Sequence, residues 1–169
     1  MVAVMDERLQ GFDFAFVLQG SKGDDAAEPY LAQVLALHYT NYGVGSLEAE
    51  VTLGKQHCRA APFGAILHGG TSLAIAETVA GLGSMLICHA KGYRLTPVGV
   101  AVTGNHISMA ALGEHLTIRA TALQQGQRLH VWNVDLLHDD GKLVSSVRVT
   151  NALIPDGSKG KRGTAFTAA

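Results

Sequence analysis

The stretch HGGTSLAIAETVAGLGSMLIC, residues 68–88, holds a single carboxylate, Glu77, among small and apolar side chains. Taking a charge out of water is costly unless the ion is paired or hydrogen-bonded, so an acid in such a run is kept for a use or for a partner. The use would be nucleophilic attack or proton abstraction by the carboxylate. The partner reading makes Glu77 a neutral or paired group at a contact between subunits, and the residues by themselves leave both open. The same stretch begins His68, Gly69, Gly70. Two glycines after a histidine allow a close backbone approach, but they also suit a simple tight turn, with His68 as a hydrogen-bonding residue at the start of a helix. No other group competes. Cys58 and Cys88 lack zinc spacing and a base partner, so packing accounts for them. His38, His57, His89, His115, His130 and His138 are scattered. The run GSKGKR, residues 157–162, comes close to a phosphate-binding loop, but Arg162 stands where Ser or Thr is needed and no strand-to-helix context surrounds it.

The elements that must position Glu77 follow from periodicity. Residues 70–88 are nearly long enough to span a bilayer, yet Glu77 lies near their middle and small residues fill much of the rest, so they read as a core helix. A helix apolar nearly all round must be covered nearly all round. Upstream, VLALHYTNYGVGSLEAEVTL reads as two strands broken near YGVGS, and GKQHCRAAPFG leads into the helix. Downstream, VGVAVTGNHIS, HLTIRATALQ, RLHVWNVDLLH and KLVSSVRVTNALI alternate as strands do, separated by AALGE, QQGQ and HDDGK. Asp140 with Gly141 is the strongest hairpin signal. The fold class expected is α+β: a curled antiparallel sheet of about six strands around one long central helix. A buried Glu77 in that helix would have a raised pKa. Such a sheet leaves an edge and the helix ends uncovered, which points to a second copy of the chain.

With 169 residues and 47% hydrophobic content the chain is one domain's worth and can bury a real core. Three segments are expected: residues 1–33 as an N-terminal extension in which FDFAFVL forms a short helix or strand, residues 34–154 as the folded domain, and residues 155–169 as a flexible tail. Balanced charge, 13 basic against 14 acidic residues, offers no field for nucleic acid. Two cysteines make no disulfide scaffold, and no charged start followed by an apolar run and a cleavage site is present. A reducing, cytoplasmic setting away from membranes is expected.

The motif PFGAILHGGTSLAIAET resembles the start of the central helix in the hotdog-fold acyl-CoA thioesterases. It is most similar to the branch holding 4-hydroxybenzoyl-CoA and 1,4-dihydroxy-2-naphthoyl-CoA thioesterases and the enterobactin-pathway proofreading thioesterase. GSLEAEV, GNHIS and GQRLHVWNVDLLHDDGKLVSSVRVTNALI extend the similarity over residues 34–154. The resemblance implies a hotdog fold and hydrolysis of an acyl-CoA to a free acid and CoA, without cofactor or metal. It implies that the backbone N–H of Gly69, with that of Gly70, polarises the thioester carbonyl, a task suited to helix N–H groups that lack intrahelical partners. It further implies that Glu77 attacks the carbonyl or activates water, that His68 helps hold the carbonyl region, and that Asn105 and His106 lie near the acyl pocket. It also implies a homodimer with shared active sites, assembled as a dimer of dimers.

Two departures from the family pattern stand out. The glutamine that precedes Pro-Phe-Gly is Ala61 here, leaving Gln56 and His57 as the nearest substitutes, and the run from Pro62 to His68 is one residue longer. The Ser or Thr one helical turn after the acid is Gly81, which makes Thr78 the nearest hydroxyl and a candidate substrate contact. Two other functions fit a chain of this pattern: a non-catalytic acyl-CoA or partner-binding module, and a hotdog dehydratase, whose histidine-containing segments AILHGGTS does not resemble. Geometry adds one expectation. Gly69 and Glu77 are eight residues apart, roughly 12 Å along a helix, so one carbonyl does not readily meet both within one chain.

Overall fold

The computed structural model describes residues 4–14 and 29–156. The tail expected at residues 155–169 lies outside these beyond Asp156, as does FDFAFVL after Phe14. Phe12 and Phe14 themselves pack against the core, edge-on to one another with ring centroids 4.7 Å apart.

The chain order is β1 (Val4–Met5), a 3-10 turn (Glu7–Leu9), α1 (Leu31–Val34), β2 (His38–Gly43) and β3 (Ser46–Thr52). A second 3-10 turn (Lys55–His57) and the two-residue strands β4 (Cys58–Arg59) and β5 (Ile66–Leu67) lead into α2 (Gly69–Ala90). Four long strands follow: β6 (Leu95–His106), β7 (His115–Gln125), β8 (Leu129–His138) and β9 (Leu143–Pro155). They form a seven-stranded sheet in the order β1-β2-β3-β7-β8-β9-β6, antiparallel except where β1 runs parallel to β2. The six strands expected from alternation are all present. The seventh, β1, is too short to show any alternation, and so leaves no periodic signal.

The helix touches β3, β6, β7, β8 and β9, and the core lies between it and the sheet. Trp132, Val134 and Leu136 of β8 and Val147 and Val149 of β9 are fully buried there, each worth about 1.5–3 kcal/mol in removed apolar surface. The close helix–sheet approach needs Gly83, because a Cβ there would meet Trp132 and Leu47 side-chain atoms at 2.5 and 2.6 Å. Ser84 completes the seam by accepting hydrogen bonds from Trp132 Nε1 and Asn151 Nδ2, both at 2.9 Å. The helix ends where Gly92, at φ 66, takes the left-handed conformation. Gly92 N–H then reaches His89 O at 3.0 Å and Tyr93 N–H reaches Cys88 O at 2.8 Å, satisfying carbonyls the helix leaves over.

The expectation that the helix is covered nearly all round is corrected. Its sheet-facing half is buried, but Gly70 and Glu77 are exposed, and Ala74, Gly81 and Met85 are only half-buried. These five share one face at spacings of three and four. One sheet covers one side of a helix, and among the described residues nothing buries the other side. The strand beside this open face is β6, which among the described residues pairs only with β9 and carries exposed Val98 and Val100 on its length.

Candidate active site

Of the four N–H groups at the start of α2, three have partners. His68 is the N-cap: its Nδ1 accepts from Gly70 N–H at 2.9 Å, and its carbonyl accepts from Thr71 at 2.9 Å and Ser72 at 3.2 Å. Gly69 N–H is left without a partner among the described residues. The structure therefore separates two glycines that the sequence treats alike. Gly70 N–H is held by His68, and Gly69 N–H is directed out of the helix, where the dipole favours an anion or a carbonyl oxygen.

The imidazole of His106 lies against Gly69, its Nε2 being 2.6 Å from where a Cβ on Gly69 would sit. Its Nδ1 is 2.9 Å from Ser145 Oγ on the neighbouring strand, where Ser145 is 1% exposed. Gly69, Ser72, His106, Met109, Ser145 and Arg59 line a cleft of about 290 Å³ at the helix start. Arg59 has no carboxylate partner among the described residues; its Nη1 reaches only Ala60 O at 3.3 Å. Asn105 is not brought to this cleft. Strand alternation turns it to the opposite face of β6, where it lines a polar hollow with Thr103, Asn133 and Arg148.

Glu77 lies elsewhere. It and Thr78 line a second cleft, of about 340 Å³, with Gln33, Ala36, Tyr39 and Gly81. The expected burial of Glu77 does not occur among the described residues, because the sheet packs on the opposite side of the helix. Burial pushes the Tyr39 phenol well above its usual range, so it stands in this cleft as a neutral hydroxyl. Ala36, which ends α1, sits at φ 49, a left-handed conformation that glycine would ordinarily supply. His57 does not substitute for the glutamine missing at Ala61. It is fully buried, its Nδ1 accepts from Gly54 N–H at 2.9 Å and its Nε2 donates to Leu35 O at 3.0 Å, so both nitrogens are committed to the loop. Gln56 is exposed and folds back over Gly54.

Sequence reasoning did not single out Gly99, Ser145, Tyr39 or Arg59. Of these, Gly99 had a signal, as a glycine inside a strand marks a bulge or a close approach. Both are found: β6 shifts register between Gly99 and Ala101, and a Cβ on Gly99 would collide with Glu77 Oε1. Gly99→Ala is therefore expected to displace the carboxylate while leaving the melting temperature nearly unchanged, since Glu77 is exposed and flexible. If Glu77 works in catalysis, a misplacement of this size lowers kcat on the order of 10²-fold. Wild-type turnover by Gly99→Ala would separate the carboxylate's position from activity.

The sequence profile of the Thioesterase superfamily matches residues 64–145. A Haemophilus influenzae protein is 34% identical over 71% of this chain and 82% of its own length. The 1,4-dihydroxy-2-naphthoyl-CoA thioesterase 2 of Arabidopsis thaliana is 30% identical over 70% of this chain and 75% of its own. Among solved structures, the crystal structure of a Haemophilus influenzae thioesterase superposes with a TM-score of 0.63 at 29% identity, covering 73% of this chain and 81% of that one.

Proposed function

The chain belongs to the thioesterase superfamily and has its hotdog fold and thioester-hydrolase activity, and on that footing we propose that it hydrolyses an acyl-CoA at a site made jointly by two copies. In this reading Gly69 N–H donates to the thioester carbonyl oxygen at the helix start. Glu77 of the other copy acts on the carbonyl carbon, either by direct attack or by taking a proton from water. The tetrahedral intermediate collapses with cleavage of the C–S bond and the thiolate leaves as CoA. After direct attack, water then hydrolyses the acyl–Glu77 anhydride to the free acid and restores the carboxylate, whereas with Glu77 as base the oxygen of the activated water is already in the free acid. The observation that carries the reading is the Gly69 N–H, a donor at the helix start with no partner among the described residues. The acyl-CoA substrate is supported by the Arabidopsis relative, whose name specifies a CoA thioester.

The shared site rests on three features of the single chain. Gly69 and Glu77 line different clefts. The helix face bearing Glu77 is not buried by the described residues. The adjoining strand β6 has an edge that no described strand pairs with, carrying exposed Val98 and Val100, a liability unless another chain pairs with it. An antiparallel second copy about a two-fold axis places the helix start of one chain beside the helix middle of the other. We extend the proposal to a dimer of dimers in a cytoplasmic setting, in keeping with the sequence.

A panel of aromatic and straight-chain acyl-CoA substrates, followed by release of free thiol, tests the reaction. Turnover of at least one class is expected. Tight binding of acyl-CoA with no thiol released from any of them would instead favour a binding module.

A further inference from the structure

His106, which ends β6 beside the helix start, has a hydrogen-bond arrangement that determines which of its nitrogens carries the proton. Ser145 Oγ is buried, and among the described residues its one side-chain hydrogen-bond partner is His106 Nδ1, at 2.9 Å. A buried hydroxyl proton left without an acceptor is costly, so Ser145 donates to Nδ1. With Nδ1 accepting, the neutral ring carries its proton on Nε2. That nitrogen lies against Gly69, in the cleft onto which the free Gly69 N–H opens. We infer that His106 Nε2–H is a second donor to the thioester carbonyl oxygen beside Gly69 N–H, and that Ser145 is the positioning residue that holds His106 in the donating tautomer.

The inference rests on the thioester-hydrolase reading and assigns a role within its site. Two facts favour His106 over the other groups at the helix start: Gly70 N–H is consumed by the His68 cap, and Asn105 faces away across β6. Chemistry favours a carbonyl donor over an acid for the leaving group. A thiol with a pKa of about 8.5 departs readily as thiolate, whereas the carbonyl oxygen gains a full charge in the tetrahedral intermediate and needs donors already in place.

The test uses the full chain with Glu77→Gln, which removes the reacting carboxylate, and benzoyl-CoA carrying ¹³C at the carbonyl. On binding, the carbonyl stretch is expected at lower frequency. Adding His106→Phe or Ser145→Ala should return the band part of the way to its solution position, and His106→Gln, whose amide N–H reaches a similar point, should recover the shift that His106→Phe loses. With Glu77 intact, His106→Phe is expected to lower kcat about 10²-fold with little change in KM, and Ser145→Ala about tenfold. The decisive comparison is Ser145→Ala in the His106→Gln background, where there is no tautomer to hold and no further loss is expected. An equal loss in both backgrounds makes Ser145 merely structural and overturns its assignment. A band unmoved by His106→Phe, with thiol release by the wild-type chain intact, overturns the second donor and leaves the hydrolase reading standing. Absence of both binding and hydrolysis of benzoyl-CoA and hexanoyl-CoA removes the two together.

Discussion

Glu77→Gln is expected to lose about 10²–10⁴-fold in kcat while still folding and binding acyl-CoA, because the change keeps the side chain's size and removes only its basic, nucleophilic oxygen. The structure makes this a clean substitution. Glu77 is exposed in the single chain and makes no ion pair among the described residues, so the amide disturbs no buried network. Its nearest constraint is Gly99, against which glutamine fits as glutamate does. Steady-state thiol release, with binding followed by calorimetry, measures both sides. Turnover near wild type would remove Glu77 from the chemistry and return it to the alternative of a polar residue at a subunit contact. A loss of binding equal to the loss of turnover would assign it to substrate affinity instead.

Mixing two inactive variants is expected to restore activity. Glu77→Gln lacks the acid. Gly69→Val blocks the helix start, because any Cβ at that position meets His106 Nε2 at 2.6 Å. If each site takes its carbonyl donor from one chain and its acid from the other, a mixed dimer has one site with both defects and one with neither. Each mixed dimer then works at about half the wild-type rate, and random exchange at equal amounts gives about a quarter overall. Mass-tagged subunits show whether exchange has occurred. Exchange without activity would place Gly69 and Glu77 in one chain's site, in spite of the roughly 12 Å between them along the helix. Co-expression of the two variants with different affinity tags gives the same comparison if the dimers do not exchange.

The sequence alone carried the family, the order of the long elements and the isolation of Glu77, and the reason is that each is written locally. A motif such as HGGTSLAIAET is contiguous, a helix or a strand of ten residues repeats its period several times, and a lone carboxylate in an apolar run is visible in its own neighbours. The two-residue β1 escaped because a pattern needs more than two residues to show a period. Tertiary structure decided the rest. Gly69 and Gly70 have the same side chain, and only the His68 cap leaves one N–H free and takes the other. Asn105 and His106 are adjacent in the chain, but strand alternation sends one to each face of the sheet. Ser145 reaches His106 across 39 residues of chain, and Gly99 reaches Glu77 from a different element, so neither pairing leaves a local pattern. Whether Glu77 is buried was beyond sequence for the same reason: composition shows that a helix can be covered on all sides, but the number of sheets and chains that meet it decides whether it is, and the described residues of one chain cover only one side.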